Sequence, residues 1–107
     1  MMTIVARETF GPVLSLIEVQ TMEEAVRFVN NSSYGLQASI FTNDEGTGLV
    51  LAKQLNVGTV QINGSPQRGP DHFPFMGIKK SGVGVQGVHY SLEAISRLKS
   101  VVLNKPQ

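Results

Sequence analysis

Arg68, Glu8 and a scatter of histidines and serines are the positions in this 107-residue chain whose side chains can do chemistry. Arg68 lies in QRGPDHFPF, a loop stiffened by glycine and proline. Its planar guanidinium suits the paired oxygens of a carboxylate or phosphate, and the ordinary alternative is a solvated surface arginine. Glu8 precedes Phe10, Gly11 and Pro12; a carboxylate there can accept hydrogen bonds from a sugar diol while the ring packs on a flat cofactor. His72 beside Asp71, with His89, Ser65 and Ser81, supplies the pieces of a hydrolase triad. Neither serine sits in a G-x-S-x-G elbow, so loop polar groups bonded to backbone are the better reading. Gly82, Gly84 and Gly87 spell GVGVQG and match G-x-G-x-x-G, but FPFMGIKKS before them is not a strand, and residues 100–107 hold no acidic side chain for a ribose. These glycines therefore allow a tight loop rather than cradle a phosphate. Two histidines without cysteine are a poor metal set, and no metal site is expected.

Composition narrows the chemistry further. With no cysteine, the chain supplies neither a disulfide nor a thiolate nucleophile. Nine basic residues against eight acidic ones give a net charge of +1, and the basic residues are dispersed, so no nucleic-acid partner is expected. No apolar run approaches the ~18 residues of a spanning helix, and Arg7 and Glu8 interrupt the start where a secretory apolar segment would continue; a soluble, cytoplasmic chain with no membrane partner is expected. A chain of this size holds one core, or is a piece of something larger.

The elements that must position these groups follow from periodicity. Val13–Val19 is nearly continuous and apolar and predicts a buried strand. Thr21 and Glu24 form a capping box ahead of Met22, Ala25, Val26 and Val29, spaced for one face of a helix over 22–31. Leu36–Thr42 predicts a second strand, 47–55 a helix weakened by Gly46 and Gly48, and GTVQIN a third strand. This order predicts an α/β fold, a partial parallel sheet made by two consecutive βαβ crossovers. Regular structure is expected to stop over 64–88, rich in glycine and proline, and to resume as a helix over 90–98 and a terminal strand, SVVLN, without a neighbour in this chain.

ETFGPV at Glu8–Val13 resembles the E-x-F-G-P motif of the aldehyde dehydrogenase superfamily. YGLQASIFT, GTVQIN, FPFMGIKKSG and YSLEAISRLKSVVLN are similar to that superfamily's C-terminal segments in the same order. TVQIN followed by QRGPDHFPF and SGVGVQGV resembles most its NADP-dependent, non-phosphorylating branch, which oxidises glyceraldehyde 3-phosphate. Many relatives carry two glycines after the second Phe, where Met76 replaces the first here.

The resemblance implies the C-terminal part of an enzyme that oxidises an aldehyde to the acid with NADP or NAD, through a thioester on a cysteine supplied by the missing N-terminal part. A chain without cysteine is then inactive alone. Carried over residue by residue, Glu8 holds the nicotinamide ribose, Phe10 packs beside the nicotinamide, Arg68 binds the substrate phosphate and Phe75 lines the aldehyde pocket. Residues 1–98 would be the end of the catalytic domain, and 99–107 an oligomerisation strand and tail that joins a homo-oligomer through Lys99–Asn104. The alternative is a stand-alone, non-catalytic module that binds a partner subunit.

Overall fold

In the computed structural model, which describes residues 2–105, strand β1 (Tyr34–Gly35) is followed after one residue by β2 (Gln37–Ile40). β2 pairs in parallel with β3 (Thr59–Ile62), Ala38 opposite Val60 and Ile40 opposite Ile62. Side chains alternate across a strand, so Ala38, Ile40, Val60 and Ile62 share one face and Gln37, Ser39, Thr59 and Gln61 the other. Helix α3 (Glu45–Gln54) makes the crossover between the two strands and packs on the apolar face. A side chain at Gly48 would lie 3.2 Å from Ile62 Cγ2, so the bare backbone lets the helix approach the strand. Asp44 caps α3: the Thr47 hydroxyl and the Gly46 N–H both donate to its carboxylate, and these bonds hold its pKa below the ordinary value.

Helix α2 (Met22–Asn30) starts as its sequence prescribes. The Glu24 N–H donates to Thr21 Oγ1 at 3.1 Å, and the Glu24 carboxylate accepts from the Gln20 N–H at 2.9 Å. β1 pairs antiparallel with β4 (Ile78–Lys79), making a second small sheet. Between β3 and β4 the chain crosses Gly58 so closely that a Cβ there would fall 1.7 Å from the Met76 carbonyl oxygen, and only glycine fits. On either side of β4 in the chain, Phe75 and Gln86 exchange two backbone hydrogen bonds at 2.9 and 2.8 Å. Helix α4 (Val88–Ile95) then begins at Gly87, whose φ of 130° is one that side chains avoid.

Several expectations are corrected. Val13–Val19 is not a strand but an irregular, exposed segment, with Leu14 85% and Leu16 88% accessible; apolar sequence makes a strand only when another strand takes up its backbone groups. The parallel sheet therefore contains one crossover, not two. The strand expected over Leu36–Thr42 is shortened to β2, and β1 precedes it as a separate strand because it pairs with a different partner. The second helix starts at Glu45, two residues before the expected Thr47, because of the Asp44 cap. Residues 64–88 are not devoid of regular structure, since β4 and the Phe75–Gln86 bridge lie within them. The last helix is shifted to Val88–Ile95, and Ser100–Asn104 forms no strand, having no edge to join. A single helical turn, α1 (Thr3–Ala6), was not anticipated.

Among the described residues no hydrophobic side chain is buried. The accessible surface is 9159 Å² where a folded monomer of this mass exposes about 5,800 Å². The radius of gyration is 19.4 Å against about 13 Å for a compact domain. Residues 9–19 and 97–105 carry no helix or strand, and the apolar side chains Leu14, Leu16, Leu98 and Leu103 among them are exposed. Among the described residues no helix is long and apolar enough to cross a membrane.

Two outcomes follow. Because the folded pKa of Asp44 is depressed, its capping contribution is present above the unfolded value, near 4, and is lost as pH falls through the folded value. A carboxyl-carbon NMR titration should place Asp44 below 3.8, with the first turn of α3 fraying as it protonates. Asp44→Asn, which still caps, should abolish that pH dependence. The isolated chain should also self-associate through its uncovered apolar surface; light scattering should give a mass above 11.6 kDa, and a concentration-independent monomer would count against this.

Candidate functional site

The loop that leaves the carboxyl end of β3 folds back over the polar face of the strands. The Gln37 side-chain amide donates to the Gln67 carbonyl at 3.0 Å, the Phe73 N–H donates to the Pro70 carbonyl, and the Val88 N–H donates to the Asp71 carbonyl. These bonds fix the run in which Arg68 and Phe75 stand. The structure brings the two together: the Arg68 guanidinium carbon lies 5.6 Å from the centre of the Phe75 ring, within cation–π range. Arg68 Nη2 also lies 3.2 Å from Asp71 Oδ1. Both partners of that ion pair are exposed, Arg68 by 49% and Asp71 by 76%, so it contributes at most about 1 kcal/mol and leaves most guanidinium donors free. Two hollows flank the pair. One, of about 290 Å³, is lined by Thr59, Gln61, Phe73 and Phe75; the other, of about 480 Å³, by Arg68, Asp71, Val88 and Leu92. An anion at the guanidinium and an apolar or carbonyl group at the aromatic rings are what this arrangement can receive.

Glu8 and Phe10 stand elsewhere, on the irregular stretch after α1, and belong to neither sheet. Phe10 is 93% exposed, and Glu8 enters no ion pair among the described residues. A free carboxylate and a bare ring fit the diol and the flat face of a nicotinamide riboside, so these residues are compatible with that group.

The remaining candidates are ordinary loop and helix groups. The Ser81 hydroxyl accepts the Gly35 N–H at 2.9 Å. Asp71 faces Arg68, His72 stacks edge-on against Phe73, and His89 pairs with Glu93 at 3.1 Å, so no triad is assembled. Among the described residues no three His, Cys, Asp or Glu side chains gather as a metal site. In GVGVQG, Gly84 and Gly87 have positive φ; Gly84 lies within the loop that the Phe75–Gln86 bridge closes, and Gly87 turns the chain from that bridge into α4. Sequence reading missed Asn30 and Lys79. The Asn30 amide joins the ends of α2 and α3, and Lys79 Nζ donates to the carbonyls of Asn30 and Tyr34. The one available signal for Asn30 is its position at the end of a strongly periodic helix.

Known proteins place these observations. The model of the aldehyde dehydrogenase family matches residues 1–101. An NADP-dependent glyceraldehyde-3-phosphate dehydrogenase of Streptococcus equinus is 57% identical over 97 residues, covering 91% of this chain and 20% of the relative. A lactaldehyde dehydrogenase of Methanococcus maripaludis is 47% identical over 97 residues, again 91% of this chain and 21% of the relative. The crystal structure of an NADP-dependent glyceraldehyde-3-phosphate dehydrogenase from Bacillus halodurans, complexed with NADP, superposes with a TM-score of 0.91 at 52% identity, over 96% of this chain and 22% of that one. The chain thus spans about a fifth of the length of the relatives it matches. Matched by the family model over nearly its whole length, the chain belongs to the aldehyde dehydrogenase family.

Proposed function

We propose that this chain acts as the C-terminal part of a cytoplasmic aldehyde dehydrogenase that oxidises a phosphorylated aldehyde, with glyceraldehyde 3-phosphate as the substrate, to the carboxylic acid. The observation that carries the reading is the guanidinium of Arg68 held against the Phe75 ring, with donors to spare, on a loop fixed at several backbone points. Relatives named for glyceraldehyde 3-phosphate support the choice of substrate.

In this reading Arg68 takes the substrate phosphate through two parallel charge-assisted hydrogen bonds, and Asp71 steadies the guanidinium until the phosphate arrives. Phe75 walls the space in which the aldehyde carbonyl lies. Glu8 would accept hydrogen bonds from the ribose of the cofactor, NADP or NAD, and Phe10 would pack beside its nicotinamide ring, so that the two residues orient it. The cofactor, when bound, accepts the hydride from the aldehyde carbon. The thiolate that attacks the carbonyl comes from outside this chain, which has no cysteine; water then releases the acid from the thioester and returns the thiol. Residues 99–107 serve as the tail, Lys99–Asn104 adding as a strand to the sheet of a neighbouring subunit. That role accounts for the exposure of Val101, Val102 and Leu103.

The 107-residue chain by itself should not oxidise glyceraldehyde 3-phosphate with NADP or NAD, because it has no nucleophile for the covalent step. Cofactor reduction by the pure chain would sink the reading. In the complete enzyme, Arg68→Ala should lower kcat/KM for glyceraldehyde 3-phosphate about ten- to a hundred-fold, the effect of losing charge-assisted contacts of about 1.5–3 kcal/mol. Unphosphorylated glyceraldehyde should hardly be affected. Arg68→Lys should recover only part of the loss, lacking the planar fork. An unchanged ratio between the two substrates would make Arg68 a loop arginine only.

A further inference from the structure

Lys79 has a φ of 54°, a left-handed backbone that glycine or asparagine adopts at lower cost. Its ammonium donates to the Asn30 carbonyl at 3.1 Å and the Tyr34 carbonyl at 3.3 Å. Asn30 is the last residue of α2, so the ammonium takes a carbonyl that the helix leaves unpaired, at the negative end of the helix dipole. A strained backbone persists where its surroundings over-determine it, and here the side chain supplies that determination.

From Lys79 the chain leads in both directions to the same bridge. Backward it passes through Ile78, Gly77 and Met76 to Phe75. Forward it passes through Lys80, whose N–H donates to the Ser33 carbonyl at 3.0 Å, and Ser81, whose hydroxyl accepts the Gly35 N–H, to Gln86. Phe75 and Gln86 then close the ring of chain with their paired backbone bonds. The Phe75 ring beneath the Arg68 guanidinium is therefore carried on a loop whose root is Lys79.

We propose that Lys79 is a positioning residue for the Arg68–Phe75 pair: its ammonium anchors the root of the Phe75–Gln86 loop to the end of α2 and so sets the direction in which the pair faces its substrate. The consequence for catalysis rests on Arg68 and Phe75 being the substrate groups, whereas the anchoring is measurable without substrate.

The test is amide exchange in the 107-residue chain with Lys79→Met, Lys79→Gly and Lys79→Arg. In the methionine and glycine variants the Phe75 and Gln86 amides should exchange about ten-fold faster, as fits the loss of charge-assisted hydrogen bonds at a partly exposed site. Lys79→Arg should stay within about two-fold of the parent. The Asn63 amide, bonded to the Ile40 carbonyl beside β2 and β3, should be unchanged in all three and shows that the chain has kept its fold. Glycine separates anchor from backbone, since it relieves the left-handed strain while removing the ammonium. Parental protection of Phe75 and Gln86 in Lys79→Gly would overturn the proposal. So would equal losses in Lys79→Arg and Lys79→Met, or acceleration at Asn63 as large as at Phe75. An Arg68→Ala enzyme with unaltered substrate preference would refute the substrate reading and leave the anchoring by Lys79 standing.

Discussion

Asn30 uses both ends of its side-chain amide on the C-terminal end of α3, donating to the Gln54 carbonyl at 2.8 Å and accepting from the Asn56 N–H at 2.7 Å. Its own carbonyl receives Lys79 Nζ, which also takes the Tyr34 carbonyl of β1. The ends of two helices and the edge of the second sheet thus meet at one residue. Among the described residues no apolar side chain is fully buried, and this junction is where α2 is hydrogen-bonded to the end of α3 and, through Lys79, to β1. Helix carbonyls that find no partner within a helix are the acceptors at this junction, and satisfying them is what gives it direction.

Close backbone approach does the rest. β3 starts where Gly58 lets the Met76 carbonyl come within a distance that no side chain would permit, and α4 starts where the positive φ of Gly87 turns the chain out of the Phe75–Gln86 bridge. Between these two contacts lies the loop that carries Phe75. Loops that bear function are commonly held this way, by fixed points on a frame rather than by packing of their own. The frame here is small: one parallel pair of strands, one helix across it, and a two-residue antiparallel pair.

The exposed apolar residues have the same physical origin as the missing core. The chain spans about a fifth of the length of its relatives, and its own described residues leave no hydrophobic side chain buried. Leu14 and Leu16 at one end, and Val101 to Leu103 at the other, are as hydrophobic as any core segment, yet remain open because a strand or a helix buries a face only against another element.

Local rules were legible directly. Thr21 and Glu24 announce the start of α2, the Val60 and Ile62 alternation announces β3, and absence of cysteine excludes a thiolate nucleophile from this chain; each depends on a few neighbouring residues or on composition alone. ETFGPV and QRGPDHFPF tie Glu8 and Arg68 to a family without any knowledge of the fold, because family motifs are strings of sequence. What depends on two distant segments was not legible. Val13–Val19 has the composition of a strand and is none, since pairing is a property of two segments and sequence periodicity describes one. That Arg68 lies over Phe75, that Asp71 turns to Arg68 rather than to His72, and that Lys79 reaches back 49 residues to Asn30 were decided by the tertiary structure. A hydrogen bond or cation–π contact forms only where the folded backbone brings donor, acceptor or ring within a few ångströms.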